Sequence, residues 1–138
     1  MLLEIRRRDA AFVEFVAALE AAGLPIDDLD DAPFRYFSRA GFAWGGVGRG
    51  EEALLRSVVV APHARGAGHG AAIVEAIAVR ARDAGARRLW LLTTDAQAFF
   101  ARLGWRAAER AEAPALIANS RQFSSLCPAS ATLMIRAL

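Results

Sequence analysis

Arg65-Gly66-Ala67-Gly68-His69-Gly70 stands between an apolar segment, Ala53 to Ala61, and an amphipathic one, Ala71 to Ala84. The spacing puts three glycines on a turn that leads from a strand into a helix. Without Cβ atoms in the way, main-chain N–H groups there can converge on one point. The first N–H groups of a helix are unbonded and carry the positive end of its dipole, so that point is an anion site. Arg65 adds a full charge beside it. A pyrophosphate is the natural occupant.

A glycine-rich turn can also bind nothing, but three glycines and an arginine exceed what a turn needs. Gly66, Gly68 and Ala71 also satisfy the G-x-G-x-x-A spacing of a dinucleotide fold. That fold puts its turn after its first strand and wants an acidic residue roughly 20 positions later. Here about half the chain precedes the turn, and Pro62-His63-Ala64-Arg65 lengthens the connection to the glycines. The third candidate occupant is acetyl-CoA.

Composition removes other chemistries. All 17 basic residues are arginine, so the chain has neither a Schiff-base lysine nor a P-loop lysine. A single cysteine, Cys127, excludes an intramolecular disulfide and a cysteine-cluster metal site, and no metal is expected. The arginines are scattered and not interleaved with aromatics, so no nucleic-acid partner is expected. A net charge of +2 suits an anionic ligand. No apolar run approaches the ~18 residues that span a bilayer. Met1 to Arg8 carries three arginines with no apolar core behind them. No membrane association is expected, and the expected compartment is cytoplasmic. A length of 138 residues with 55% apolar content suits one domain with a real core.

The elements that must position the turn follow from periodicity. Residues 2–6 read as a short strand. Asp9 stands where an N-cap is wanted, and Phe12, Phe15, Val16 and Leu19 follow at helical spacing until Gly23. Leu24 to Leu29 is an acidic loop. Phe34 to Arg39 and Phe42 to Val47 read as a hairpin, its second strand loosened by Gly45, Gly46 and Gly48. Ala53 to Ala61 is the strongest strand pattern, with Val58-Val59-Val60 at its centre, and Pro62 stops it. In the helix at 71–84, Ile73, Val74, Ile77 and Ala81 face inward, and Gly85 ends it. Leu89 to Leu92 is another buried strand. Asp95 is placed to cap a short helix running to Leu103, and Trp105 to Ala107 begins a further strand. Ala115 to Leu126 has a helical pattern, Pro128 interrupts it, and Ala131 to Leu138 reads as a last strand.

Val60-Ala61-Pro62 followed by Arg65 to Gly70 resembles the pyrophosphate motif R/Q-x-x-G-x-G/A of the GNAT N-acetyltransferases. Leu89 to Trp105 resembles their second signature, a strand, an aromatic-bearing helix and a Gly-aromatic pair. The segments LLRSVVVAP, LWLLTTDAQAFFARLGW and APALIANSRQFSSLCPASA together are similar to the arsenic-resistance N-acetyltransferases. Those enzymes acetylate arsinothricin, a glutamate-like amino acid with a methylarsinate group. The closer likeness covers residues 54–138; the first 50 match the superfamily in general.

The resemblance implies an α/β GNAT fold, with residues 1–138 as a single domain. Its sheet would be mixed, mostly antiparallel, of six or seven strands, splayed between the strands at 53–61 and 88–94, with flanking helices. Acetyl-CoA, the implied co-substrate, would lie along Val58, Val59 and Val60. Main-chain groups of Val58 and Val60 would bond the pantetheine and thioester, with Val58 as an oxyanion donor. Arg65, Gly66, Ala67, Gly68, His69 and Gly70 would hold the pyrophosphate. Phe99, Phe100 and Arg102 would face the cofactor from the far side. Such enzymes often place a tyrosine second in that aromatic pair to protonate the leaving thiolate; here Phe100 stands there. They also often carry a third threonine where this chain has Asp95, and a Leu-Glu pair where it has Arg49 and Gly50. The implied activity is acetyl transfer to a small-molecule amine by direct attack in a ternary complex, with an arginine-bound, arsinothricin-like amino acid as acceptor. Another small amine, an antibiotic, or a CoA-binding sensor without turnover are the alternatives, and a homodimer is open to it. The catalytic base is unknown.

Other residues have two readings. Arg56 alternates with Leu54 and Val58 along one strand face, so it is either an ion-pair partner or an anion clamp for substrate. Arg121 is the second candidate for the substrate, though it and Gln122 fit a surface helix as well. His69 fits a tolerated position in the turn, and His63 an exposed one. Trp44, Trp90, Trp105 and Cys127 read as core.

Overall fold

The computed structural model describes residues 1–31, 34–126 and 129–138. Cys127 and Pro128, and what was expected of them, lie outside this set. Seven strands form one sheet: β1 Leu2–Ile5, β2 Arg35–Arg39, β3 Ala43–Val47, β4 Glu52–Val60, β5 Arg88–Thr93, β6 Arg106–Ala108 and β7 Thr132–Ala137, in the order β1-β2-β3-β4-β5-β7-β6. Every neighbouring pair is antiparallel except β4 with β5. The helices are α1 Ala10–Ala21, α2 His69–Asp83, α3 Gln97–Arg102 and α4 Ala115–Ala118. This is the splayed, mixed, mostly antiparallel sheet that the resemblance implied, with seven strands of the expected six or seven.

Side chains alternate across a strand, so each strand feeds two cores. Phe37, Ala43, Val47 and Leu55 pack under Ile73, Val74 and Ile77 of α2. Tyr36, Trp44 and Val59 pack under Phe12, Phe15 and Leu19 of α1. Leu54, Trp90, Leu133 and Ile135 continue that second face beneath Ile117 of α4. The three tryptophans are core residues as expected, each 3% exposed. Gly45 and Gly46 do not loosen β3. A Cβ on Gly45 would lie 2.7 Å from Ile77 Cδ1, and one on Gly46 would lie 2.6 Å from the Tyr36 ring. They are glycines so that α2 and Tyr36 can lie against the strand.

β4 departs from regular alternation in its middle. Arg56 stands opposite Gly46 and Val59 opposite Trp44, so β4 fits two residues, Ser57 and Val58, against the single Gly45. This is a β-bulge, and Ser57 takes the left-handed φ of +58° that it requires. The extra residue inverts the side-chain phase beyond it. Leu54 and Arg56 face the α1 side, and Val59 and Ala61 continue that face. Val58 and Val60 turn to the α2 side. The expectation that Arg56 and Val58 share a face is therefore wrong, because simple alternation cannot cross a bulge.

Three local expectations also change. Asp9 occupies the N-cap position of α1, but its carboxylate accepts the Arg6 N–H at 2.8 Å and caps nothing. Asp95 does not cap α3; the Thr93 hydroxyl oxygen accepts the Ala96 N–H at 3.0 Å and makes that turn. The helical pattern from Ala115 resolves into the single turn of α4 and a wide turn at Gln122–Leu126.

Candidate active site

β4 and β5 are bonded only where Glu52–Leu54 meet Arg88–Trp90. Above Leu54, β4 stays with β3 and β5 stays with β7, and the two strands part. A cavity of about 510 Å³ fills the opening, within the usual range for small-molecule sites. Antiparallel ladders bond alternate residues. Gly48 N–H donates to Leu54 O at 2.9 Å and Ala61 N–H to Phe42 O at 2.8 Å, which fixes the phase on either side of the bulge. By that alternation, the main-chain groups of Val59 and Ala61 serve β3. Those of Val58 and Val60 point into the opening. The Val60 carbonyl there accepts the Arg65 Nε–H at 3.2 Å.

The two ends of the glycine turn, Arg65 and Gly70, reach one mouth of the cavity. Gly66 and Gly68 hold φ of +85° and +82°, and Gly68 is the N-cap of α2. Arg65, Gly70, Asp95 and Phe99 line this mouth. A Cβ on Gly70 would meet the Phe99 ring at 3.3 Å, so the aromatic lies against the helix start. Phe100 stands behind Phe99, buried edge-on against Trp105. Ala67 is exposed in the turn. Arg102 is exposed on the last turn of α3 and does not line the cavity. His69 turns away from the turn: its ring packs on Phe42 at 4.3 Å, and its Nδ1 lies 3.5 Å from the Arg39 guanidinium. His63 is exposed beside the same Phe42.

The opposite mouth opens on the α1 face, between Ala22, Leu24 and Pro25 on one side and Arg56 and Gln122 on the other. Arg56 is fully buried. Its guanidinium bonds the Asp28 carboxylate at 2.5 Å and the Asp28 carbonyl at 3.4 Å, and its Nε–H donates to Ser57 Oγ at 2.9 Å. Phe34 and Tyr36 cover its faces at 4.8 and 5.8 Å. Gln122 is buried, not on a surface helix, and donates to the other Asp28 oxygen at 3.2 Å. Of the two readings of Arg56, the geometry shows the ion pair. Arg121 lies outside the cavity, bonded to Asp31 and the Asp27 carbonyl at 3.2 Å each. Tyr36 donates its hydroxyl proton to Leu29 O at 3.0 Å. Burial pushes its ionisation well above the usual range, although Arg56 pulls the other way.

Sequence reasoning missed Asp28 and Ser57, and it favoured a surface helix for Gln122. Nothing local separates Asp28 from Asp27, Asp30 and Asp31; the one available signal was that a buried Arg56 demands a buried carboxylate. Among the described residues, no group of three His, Cys, Asp or Glu could hold a metal, and no helix is long and apolar enough to cross a membrane.

A strand edge left open beside a helix N-terminus built on glycines defines a class of protein. The sequence profile of the acetyltransferase (GNAT) family matches residues 14–105, and the chain belongs to that family. Solved structures share the fold. N-acetylglutamate synthase from Neisseria gonorrhoeae, complexed with coenzyme A and N-acetyl-glutamate, is 18% identical with a TM-score of 0.77 over 100% of this chain and 35% of its own. This chain thus spans about a third of that synthase. The Mycobacterium tuberculosis protein Rv2747, in complex with CoA and NLQ, is 20% identical, with a TM-score of 0.75 over 99% of both chains. A GNAT-family acetyltransferase from Staphylococcus aureus is 17% identical, with a TM-score of 0.73 over 100% of this chain and 98% of its own. No curated protein matches the chain.

Proposed function

We propose that this chain transfers the acetyl group of acetyl-CoA to the primary amine of a small amino-acid-like acceptor. The observation that carries the reading is the parting of β4 from β5 beside the glycine turn. The pyrophosphate meets the N–H groups at 66–70 and the Arg65 charge. The pantetheine arm lies along β4 and takes up the main-chain groups of Val58 and Val60 that no strand uses. Phe99, seated on Gly70, walls its far side. The His69 ring packs on Phe42 and Arg102 does not line the cavity, so this arrangement uses the His69 main chain and neither of the two side chains. The thioester then lies at the bulge, and the Val58 N–H points where the tetrahedral oxyanion develops.

The acceptor enters from the α1 face. Its nitrogen attacks the acetyl carbon, and the CoA sulfur leaves as a thiolate. A thiol pKa of about 8.5 makes that departure tolerable. Asp28 is no base for the amine, since Arg56 and Gln122 hold both its oxygens.

The narrower form of the reading is an arsinothricin-like acceptor and a role in arsenic resistance. The sequence likeness supports it, and so does the glutamate-type ligand of the synthase with the same fold. Such an acceptor carries two anionic groups, and both candidate arginines already hold a carboxylate, Arg56 that of Asp28 and Arg121 that of Asp31. Either pair would have to open toward the substrate.

Thiol release from acetyl-CoA across a panel of amines tests both levels. Turnover with glutamate-like amines far above that with neutral or singly charged ones supports the narrower form. Turnover confined to the latter leaves acetyl transfer standing and removes the arsinothricin-like acceptor. No release with any amine removes the proposal.

A further inference from the structure

Ser57 is the extra residue of the β4 bulge, and it is among the residues that line the cavity where β4 and β5 part. A serine hydroxyl has one proton to give and two lone pairs to receive. The Arg56 Nε–H occupies one lone pair at 2.9 Å. The hydroxyl proton has no acceptor among the described residues. A hydroxyl that accepts from a cation is polarised to donate in turn. The guanidinium that does this is held by Asp28, so the hydroxyl is oriented by a buried, fixed pair.

The backbone at this position favours another residue. At φ +58° a non-glycine side chain is strained, and glycine would sit there freely. A serine kept there bears a cost that bulge geometry alone does not require. Of the other hydroxyls near the site, that of Tyr36 donates to the Leu29 carbonyl, and that of Thr93 accepts from the Ala96 main-chain N–H, so of these three Ser57 alone accepts from a cation. Phe99 and Phe100 have none.

We propose that Ser57 is a catalytic residue of the acetyl transfer assigned above to this cavity, its hydroxyl donating a hydrogen bond to the thioester sulfur as the carbon–sulfur bond breaks. The inference rests on that assignment. The acceptor nitrogen forms its bond to the acetyl carbon, and the carbonyl pair moves to oxygen. When the pair returns, the carbon–sulfur bond breaks and sulfur keeps its electrons. One proton leaves the nitrogen, and one reaches the sulfur through solvent. Ser57 retains its own proton, because a hydroxyl is far less acidic than a thiol of pKa about 8.5. It lowers the barrier by donation to the developing charge alone. Sulfur is the useful target, since a donor aimed at the amine would tie up the attacking lone pair.

Two variants separate the hydroxyl from the backbone that carries it. Ser57→Gly accepts the left-handed φ and removes only the hydroxyl; Ser57→Ala removes it and keeps the strain. Both should lower kcat by about 10²-fold, as loss of one preorganised donor does. KM for acetyl-CoA and the rise in melting temperature that acetyl-CoA causes should stay as in the wild type. A glycine variant with wild-type kcat would overturn the proposal, whether or not alanine is impaired, because it would assign any effect to the bulge. A loss of acetyl-CoA binding in both variants would also overturn it and make Ser57 a binding residue. A wild-type chain that releases no thiol with any amine would sink the transfer itself, and Ser57's role with it. Normal wild-type turnover with an unimpaired glycine variant sinks only Ser57.

Discussion

On the α2 side of the cavity the wall is largely main chain: Gly70 in the first turn of α2, an unbonded helix end, and the β4 edge that β5 leaves behind. On the α1 side it is a packed polar cluster in which Arg56, Asp28, Gln122 and Ser57 are bonded together under two aromatic rings, the Ser57 hydroxyl keeping its proton to give. The first wall offers main-chain groups that no strand uses, and beyond the Arg65 bond to the Val60 carbonyl they are left for a ligand to take up. The second has its partners already, and taking one away leaves a charge with none. One side should therefore answer to ligand and the other to stability.

Asp28→Ala is the most severe way to break this contrast. It strands a guanidinium with no exposed surface, and removal of one partner of a buried pair costs about 3–5 kcal/mol. Chemical denaturation should show a loss of that size without ligand. Replacing the pair together, as Asp28→Leu with Arg56→Met, should recover much of it, because no buried charge remains. A loss under about 1 kcal/mol in Asp28→Ala would mean that water reaches Arg56 and the wall is not sealed.

Gly68→Val sharpens the other half. A ligand present at 100 times its Kd stabilises a folded protein by about 2.7 kcal/mol. The wild type should show that gain with acetyl-CoA and none with NAD. Gly68→Val should lose it. Without ligand it should lose only the strain of a branched residue at φ +82°, about 1–3 kcal/mol. An equal gain with NAD would return the turn to the dinucleotide reading.

Tyr36→Phe is the smallest effect and is read through pH. Folding raises the pKa of Tyr36, so the unfolded chain releases this proton first, near its ordinary pKa of about 10. The stability it lends is whole below about pH 10 and drains away as pH climbs beyond that. Tyr36→Phe should lose about 1 kcal/mol at neutral pH with the bond to Leu29, and should flatten the alkaline decline. Its kcat should match the wild type, since the hydroxyl points away from the cavity; a collapse would put a proton donor there.

The two walls also differ in how far the sequence foretold them. The glycine turn is written in consecutive residues whose meaning is local: the lack of a Cβ, a strand before and a helix after. Phe99 could be placed because the family resemblance implied an aromatic facing the cofactor from the short helix after β5. The α1 wall joins positions 28, 56 and 122, and no local pattern relates an aspartate in an acidic loop to a glutamine 94 residues later. The bulge at Ser57 escaped because a single extra residue leaves no trace in composition, yet it reverses every side chain after it. The cofactor roles of His69 and Arg102 came from the family resemblance, which carries positions and not side-chain directions; the His69 ring lies on Phe42 and Arg102 is exposed to solvent.

The three-residue pairing of β4 with β5 has a consequence for how this protein avoids its neighbours. An unpaired strand edge is a template onto which another polypeptide can add, and proteins commonly blunt the edges at the rims of their sheets. Here an unused edge lies in the middle of the sheet, with α1 over one face and α2 over the other. A second chain would have to bring its own side chains and flanking strand into a slot closed at the bottom and walled by β5. A slender ligand arm with amide groups needs no such room. The fold can keep an adhesive strand permanently exposed to metabolites while hiding it from aggregation.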